Sequence, residues 1–183
     1  MFNSKFTNKI HVDKAIGFYS SGIFNPPSVF LFERNIFNEF FTSILIQKSY
    51  KLIPRELSVE YSAYESGLDR FVSLKKPGFF GKDALLAWRE SGAANTLVTM
   101  EVQGVTDADA RGSEAIYKDG EIVGRVTSGG YGWRVGKSLA LAMIRPDLAV
   151  ENAEFEIAIL GKRHKATLIP DSPFDPENTA LRS

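Results

Sequence analysis

From Leu97 onward, apolar residues of this 183-residue chain recur at every second position, and turn signals interrupt the alternation at short, regular intervals. Nothing else in the sequence limits the fold as strongly, because a period of two separates an apolar face from a polar one only in a strand. The segments are Leu97 to Val102, Glu114 to Lys118, Glu121 to Thr127, Leu139 to Ile144, Phe155 to Leu160 and His164 to Ile169. Asp119-Gly120 separates the second from the third, a two-residue signal for a hairpin turn with φ > 0. Gly161-Lys162 plays the same part between the last two. About six short antiparallel strands without a helical interruption predict a closed barrel or a sandwich, architectures that leave few bare sheet edges.

Upstream the pattern is different. Ile36, Phe37, Phe40, Phe41, Ile44 and Leu45 recur at helical spacing and predict an amphipathic helix with that stripe on a core. Gly67 predicts a helical end or a positive φ. Phe71 to Leu74 is a strand candidate stopped by Lys75-Lys76-Pro77-Gly78. Lys82 to Ser91 predicts a second helix, with Ala84, Leu85 and Trp88 lying over a sheet and Gly92 just past its end. The expected class is therefore α+β: a partial α/β segment followed by a C-terminal antiparallel β-barrel. Residues 1–41 hold 9 of the 14 Phe, a composition unlike the rest. The step marks either a boundary between structural units or a rearranged reading frame.

Composition excludes several functions. The 22 basic and 22 acidic residues cancel, so the basic excess of a nucleic-acid binder is missing. With no Cys there is no disulfide scaffold, thiolate catalysis or cysteine-ligated zinc, and only two distant histidines, His11 and His164, are present. No metal site is expected. Ser28 to Ile46 is the most apolar N-terminal stretch, yet it carries Glu33, Arg34, Asn35, Asn38 and Glu39, too polar for a membrane span. Met1 to Ile16 has no apolar core of a signal peptide, so a cytoplasmic location is expected.

Two motifs fail on context. Gly129 to Ser138 contains Gly136-Lys137-Ser138, but a phosphate loop needs glycine where Tyr131 stands, and a helix must follow. The following Leu139 to Ile144, stopped by Pro146, reads as a strand. Asp107, Asp109 and Asp119 lack the spacing of a calcium loop and read as solvated turn carboxylates.

The same glycine-rich region is similar to another pattern. Asp119 to Gly132, with Ala115-Ile116-Tyr117 before it and Lys137 to Ala142 and Arg145-Pro146 after it, resembles a barrel segment of the aminomethyltransferase (glycine cleavage T protein) family. Gly161-Lys162 with Ala166, and Pro173-Phe174-Asp175-Pro176-Glu177-Asn178, resemble that family's C-terminal end. Upstream, Ile46 to Lys51, Glu56 to Tyr61, Tyr64 to Leu68 and Phe79 to Leu85 extend the likeness to about residues 40–183. The Gly130-Tyr131-Gly132 variant leans toward the folate-binding half of dimethylglycine and sarcosine dehydrogenases.

The resemblance implies tetrahydrofolate-dependent one-carbon transfer, with tetrahydrofolate as cofactor. It divides the chain into a divergent segment 1–39, a partial central folate-binding-type domain 40–95, and a C-terminal barrel domain 96–183. It also implies folate contacts at Gln47, Tyr50 and Thr179. Gln47 stands where the family has a glutamate, and Thr179 where one branch has a tyrosine. No residue takes the place of the family's catalytic aspartate, and no catalytic residue is assigned. The expectation is an aminomethyltransferase-like chain that is inactive alone. The alternatives are a non-catalytic barrel or interaction module, or a subunit completed by a separately encoded N-terminal chain. A homo-oligomer is a further expected partnership; nucleic acid and membrane are not.

Overall fold

The computed structural model describes residues 40–183. Ile36 and Phe37 of the expected helical stripe lie outside the described residues. Six strands form a closed antiparallel barrel: β1 (Thr96–Val102), β2 (Ala115–Lys118), β3 (Glu121–Gly132), β4 (Lys137–Ile144), β5 (Glu154–Ile159) and β6 (Lys162–Ile169). Their order around the barrel is β1-β4-β3-β2-β5-β6. Each strand expected from the alternation is present. The main extension is β3, which runs on through the glycines to Gly132.

Local chemistry explains the turns. Asp119 and Gly120 both take positive φ, 52° and 86°, as a tight hairpin twisted to match its strands requires. The β3–β4 turn closes with Gly136 N–H donating to the Gly132 carbonyl at 2.8 Å, so the former phosphate-loop candidate is a hairpin. Val98, Met100, Ile116, Val126, Ala140, Ala142, Ile144, Ile157 and Ala166 belong to one buried cluster at the heart of the barrel. β4 is buried from Ser138 to Ile144. Its other face carries Leu139 and Leu141, which pack with Ile46 in a second cluster. A strand covered on both sides reads as the near-continuous apolar run Leu-Ala-Leu-Ala-Met-Ile.

Residues 40–47 are helical (α1). The buried face of α1 is not the predicted one. Phe40, Phe41 and Ile44 are exposed, while Ser43, Ile46 and Gln47 are buried. Polar partners on the barrel turn the helix this way, as the site geometry below makes explicit. Two further expectations are corrected. Phe71–Leu74 is not a strand: Asp69–Phe71 is a 3-10 turn, with Phe71 N–H bonded to the Leu68 carbonyl and Val72 N–H to that of Asp69. Those bonds close locally the groups that a strand would offer a neighbour, and Phe71 is exposed. The helix at Lys82–Ser91 (α2) exists, but no residue of it is buried, so its Ala84, Leu85 and Trp88 stripe does not seal against a sheet. A final short helix, α3, spans Thr179–Arg182.

Candidate functional site

The glycines of β3 are where the helix meets the barrel. A Cβ on Gly130 would sit 3.3 Å from Thr42 Cγ2, and one on Gly132 would sit 2.7 Å from Gln47 Cγ. The Gly129-Gly130-Tyr131-Gly132 run therefore admits α1, not a phosphate. Once the helix is this close, Gln47 reaches the β3–β4 turn. Its Oε1 accepts the backbone N–H of Arg134 at 2.7 Å and of Val135 at 3.2 Å. Its Nε2 donates to the Ser43 carbonyl at 2.7 Å and to Ser43 Oγ at 3.2 Å. Only 3% of Gln47 is exposed. An amide oxygen has two acceptor lone pairs, and both are taken.

The C-terminal tail crosses the end of α1. Phe174 N–H donates to the Gln47 carbonyl at 3.0 Å. Lys48 Nζ donates to the Asp175 carbonyl at 2.5 Å and to Asn178 Oδ1 at 2.7 Å. Thr179 donates to Asp175 Oδ1 through both its N–H and its hydroxyl, each at 2.8 Å. Desolvation raises the pKa of the Asp175 carboxyl. The Thr179 hydroxyl, the amides of Ala180 and Thr179, and the Lys48 charge outweigh it and hold the group below its ordinary value. Gln47 and Thr179 are thus linked through the tail, Gln47 enclosed and Thr179 on the surface. Tyr50 stands at the same helix end, 45% exposed, with its N–H bonded to the Leu45 carbonyl.

Two features beside this junction have no local signal in the sequence. Ser49 takes a positive φ of 50°. Its hydroxyl pairs with Thr99 Oγ1 at 2.8 Å and accepts Ser172 N–H at 2.9 Å, and Thr99 Oγ1 donates to Asp171 Oδ1 at 2.6 Å. Farther along, Glu56 is fully enclosed and accepts Leu52 N–H at 2.8 Å and the Ser128 hydroxyl at 2.5 Å. Glu65 accepts Ser62 N–H and Asn95 N–H, each at 2.9 Å. Burial raises the Glu65 pKa, and the amides and side chains of Ser62 and Asn95 more than offset this, leaving it below 4.5. Glu56 and Glu65 lie in segments singled out only by resemblance. Their long-range partners, Ser128 on β3 for Glu56 and Asn95 just before β1 for Glu65, are distant in sequence and give no local signal.

The junction does not fit a pterin at Gln47. A pterin ring offers N–H donors, and Gln47 keeps no open acceptor for them. Among the described residues, no group of three or more His, Asp or Glu is placed to hold a metal ion, and no helix is long and apolar enough to cross a membrane.

Residues 95–175 match the glycine cleavage T-protein C-terminal barrel domain, a span that encloses all six strands. The barrel belongs to the glycine cleavage T-protein family. Mitochondrial dimethylglycine dehydrogenase of Rattus norvegicus is 31% identical over 76% of this chain and 16% of its own length. An aminomethyltransferase of Desulfitobacterium hafniense is 35% identical over 65% of this chain and 32% of its own. The crystal structure of the glycine cleavage system aminomethyltransferase T from Bartonella henselae superposes with a TM-score of 0.68 over 74% of this chain and 38% of that one. At 20% identity, that likeness bears on the fold alone. The chain therefore spans between about a sixth and a third of the length of these curated relatives.

Proposed function

We propose that this chain is the barrel part of an aminomethyltransferase-type protein of tetrahydrofolate-dependent one-carbon metabolism, and that alone it neither holds tetrahydrofolate tightly nor transfers a one-carbon unit. The single observation that carries this reading is the engagement of Gln47. At the position where the resemblance has a folate-contacting glutamate, the side chain is enclosed and spends its oxygen on Arg134 and Val135. Losing a charge-assisted hydrogen bond to the pterin costs about 1.5–3 kcal/mol, a factor of roughly 10 to 150 in affinity. Methylene transfer also needs a positioned group to manage the amine proton, and no residue has been assigned to it. Calorimetry with tetrahydrofolate tests the reading. We expect no heat of binding at micromolar concentrations; a low-micromolar dissociation constant would overturn it.

One observation favours completion by a second polypeptide. Phe40, Ile44, Tyr50 and Trp133 are each at least 42% exposed, and the Trp133 backbone N–H bonds Ser43 Oγ at 3.3 Å, which brings this residue's backbone to α1. Exposed apolar groups gathered on one side of a domain mark an interaction surface. Its occupant in this reading is a second copy or a complementary chain. Sedimentation across a wide concentration range checks the first: association that strengthens with concentration is expected, and a monomer throughout removes the self-association arm.

A further inference from the structure

The tail from Asp171 to Thr179 lies on the molecule with none of its residues fully buried. Hydrogen bonds hold it instead. Thr99 Oγ1 donates to Asp171 Oδ1 at 2.6 Å, Ser172 N–H donates to Ser49 Oγ at 2.9 Å, and the Ser172 hydroxyl donates to the Lys48 carbonyl at 2.8 Å. Farther along, Lys48 Nζ grips the Asp175 carbonyl and Asn178 Oδ1, and Phe174 N–H donates to the Gln47 carbonyl. Docking also sets Ser172, Asp175 and Asn178 at φ of 54°, 48° and 55°, the left-handed region that disfavours a residue with a Cβ. Polar bonds working against backbone strain leave a small gap between docked and free states, as in segments that open locally while the core stays folded.

Gln47 joins this tail to the β3–β4 turn. Its carbonyl takes the Phe174 amide, and its side-chain oxygen takes the amides of Arg134 and Val135. Arg134 closes the circuit, with its guanidinium carbon 5.5 Å from the centroid of the Phe174 ring. The end of α1, the turn and the tail each hold the other two. We propose that the three form a latch that opens as one unit, with Lys48 as the positioning residue that keeps it shut. When the tail lets go, the last turn of α1 loses the donor that satisfied its final carbonyl, and the Gln47 side chain leaves Arg134 and Val135 with it. Opening frees Oε1, the acceptor that a pterin would need. That consequence rests on Gln47 holding the pterin position; the coupling of tail to turn does not.

The test is amide hydrogen exchange, read by nuclear magnetic resonance on the full chain. In the unaltered protein the amides of Ser172, Phe174, Arg134 and Val135 should share one protection factor to within about tenfold, below that of the β1 and β4 amides. Lys48→Met keeps an unbranched aliphatic stem and removes both ammonium bonds. It should speed exchange at all four amides by about tenfold or more while β1 and β4 keep their rates. If this variant does not fold, the comparison within the unaltered protein decides alone. Three results overturn the latch: tail and turn protection differing by more than about tenfold in the unaltered protein, tail amides that speed up in Lys48→Met while Arg134 and Val135 stay put, or an equal rise throughout the barrel. Calorimetry with tetrahydrofolate moves none of these readings, so the latch and the folate reading fail separately.

Discussion

Buried polar side chains, rather than apolar ones, fix how the upstream segment sits on the barrel, and two of them make sharp predictions. Glu65 has a depressed pKa in the folded chain, so its contribution is present above its unfolded value of about 4.5 and is lost as pH falls through the lower folded value. Urea unfolding should therefore show stability dropping on acidification below about pH 4.5. Glu65→Gln should lower stability at neutral pH by about 1–3 kcal/mol and flatten that acid limb. An unchanged acid limb in the variant would assign the dependence to other carboxylates. Gln47→Glu tests the junction. The carboxylate keeps the Arg134 and Val135 bonds but turns its second oxygen on the Ser43 carbonyl, now 2.7 Å from Nε2. Two facing acceptors favour the protonated acid in the fold, so this variant's deficit should grow as pH rises through the glutamate range. Thermal melts at acidic and neutral pH read it directly. Gln47 drew notice in the sequence only as a departure from a family pattern. Its partners lie some 87 residues on, beyond any local reading.

At the scale of elements, the β2–β3 hairpin was legible because its chemistry is local, whereas the β5–β6 turn falls on Leu160-Gly161, one residue before the expected Gly161-Lys162. Asp119-Gly120 demands positive φ and has it. Gly120→Val forces a β-branched side chain into that conformation and should cost about 1–3 kcal/mol, measured as a drop in the unfolding midpoint. A melt superimposable on the parent's would show that the turn tolerates the side chain. The orientation of α1 was not legible, since helical periodicity reports an apolar stripe without saying what opposes it. Here the opposing surface is a glycine run on β3 with backbone donors at its end, and it selects Ser43 and Gln47 over Phe40 and Phe41. Gly132→Ala isolates that contact. Its methyl would meet Gln47 Cγ at 2.7 Å, Val135 Cγ2 at 2.8 Å and Leu139 Cδ1 at 3.0 Å. Overpacking of this kind costs about 1–3 kcal/mol. Chemical-shift changes should centre on residues 43–47 and 133–139, and changes confined to β3 would separate the glycine from α1 packing. The strand candidate at Phe71–Leu74 misled for a related reason: alternation alone supplies no neighbour to pair with.

Residues 40–183 hold together as one unit in this architecture, although the sequence pattern changes near residue 95. Bonds cross that division at several levels. Leu97 N–H donates to the Glu65 carbonyl at 2.9 Å, Ser128 to Glu56, Ser49 pairs with Thr99, and Arg134 donates to Gln47. The tail returns to the upstream segment as well, through Ser172, whose hydroxyl donates to the Lys48 carbonyl at 2.8 Å. Apolar packing follows the same path, with Ile46 on Leu139 and Leu141. Removing residues 1–95 would uncover those two leucines and leave Ser128 and the Arg134 amide without their partners. An unpaired buried group costs about 1–3 kcal/mol, and several such losses approach the whole stability of a small domain. We therefore expect the full chain to unfold in a single cooperative transition, with fluorescence of Trp88 and Trp133 and far-ultraviolet circular dichroism tracing the same curve. The fragment 96–183 should be markedly less stable or fail to fold, despite containing every barrel strand. Two separated transitions in the full chain, or a fragment as stable as its parent, would mean that the barrel stands alone and that the upstream segment is carried rather than built in.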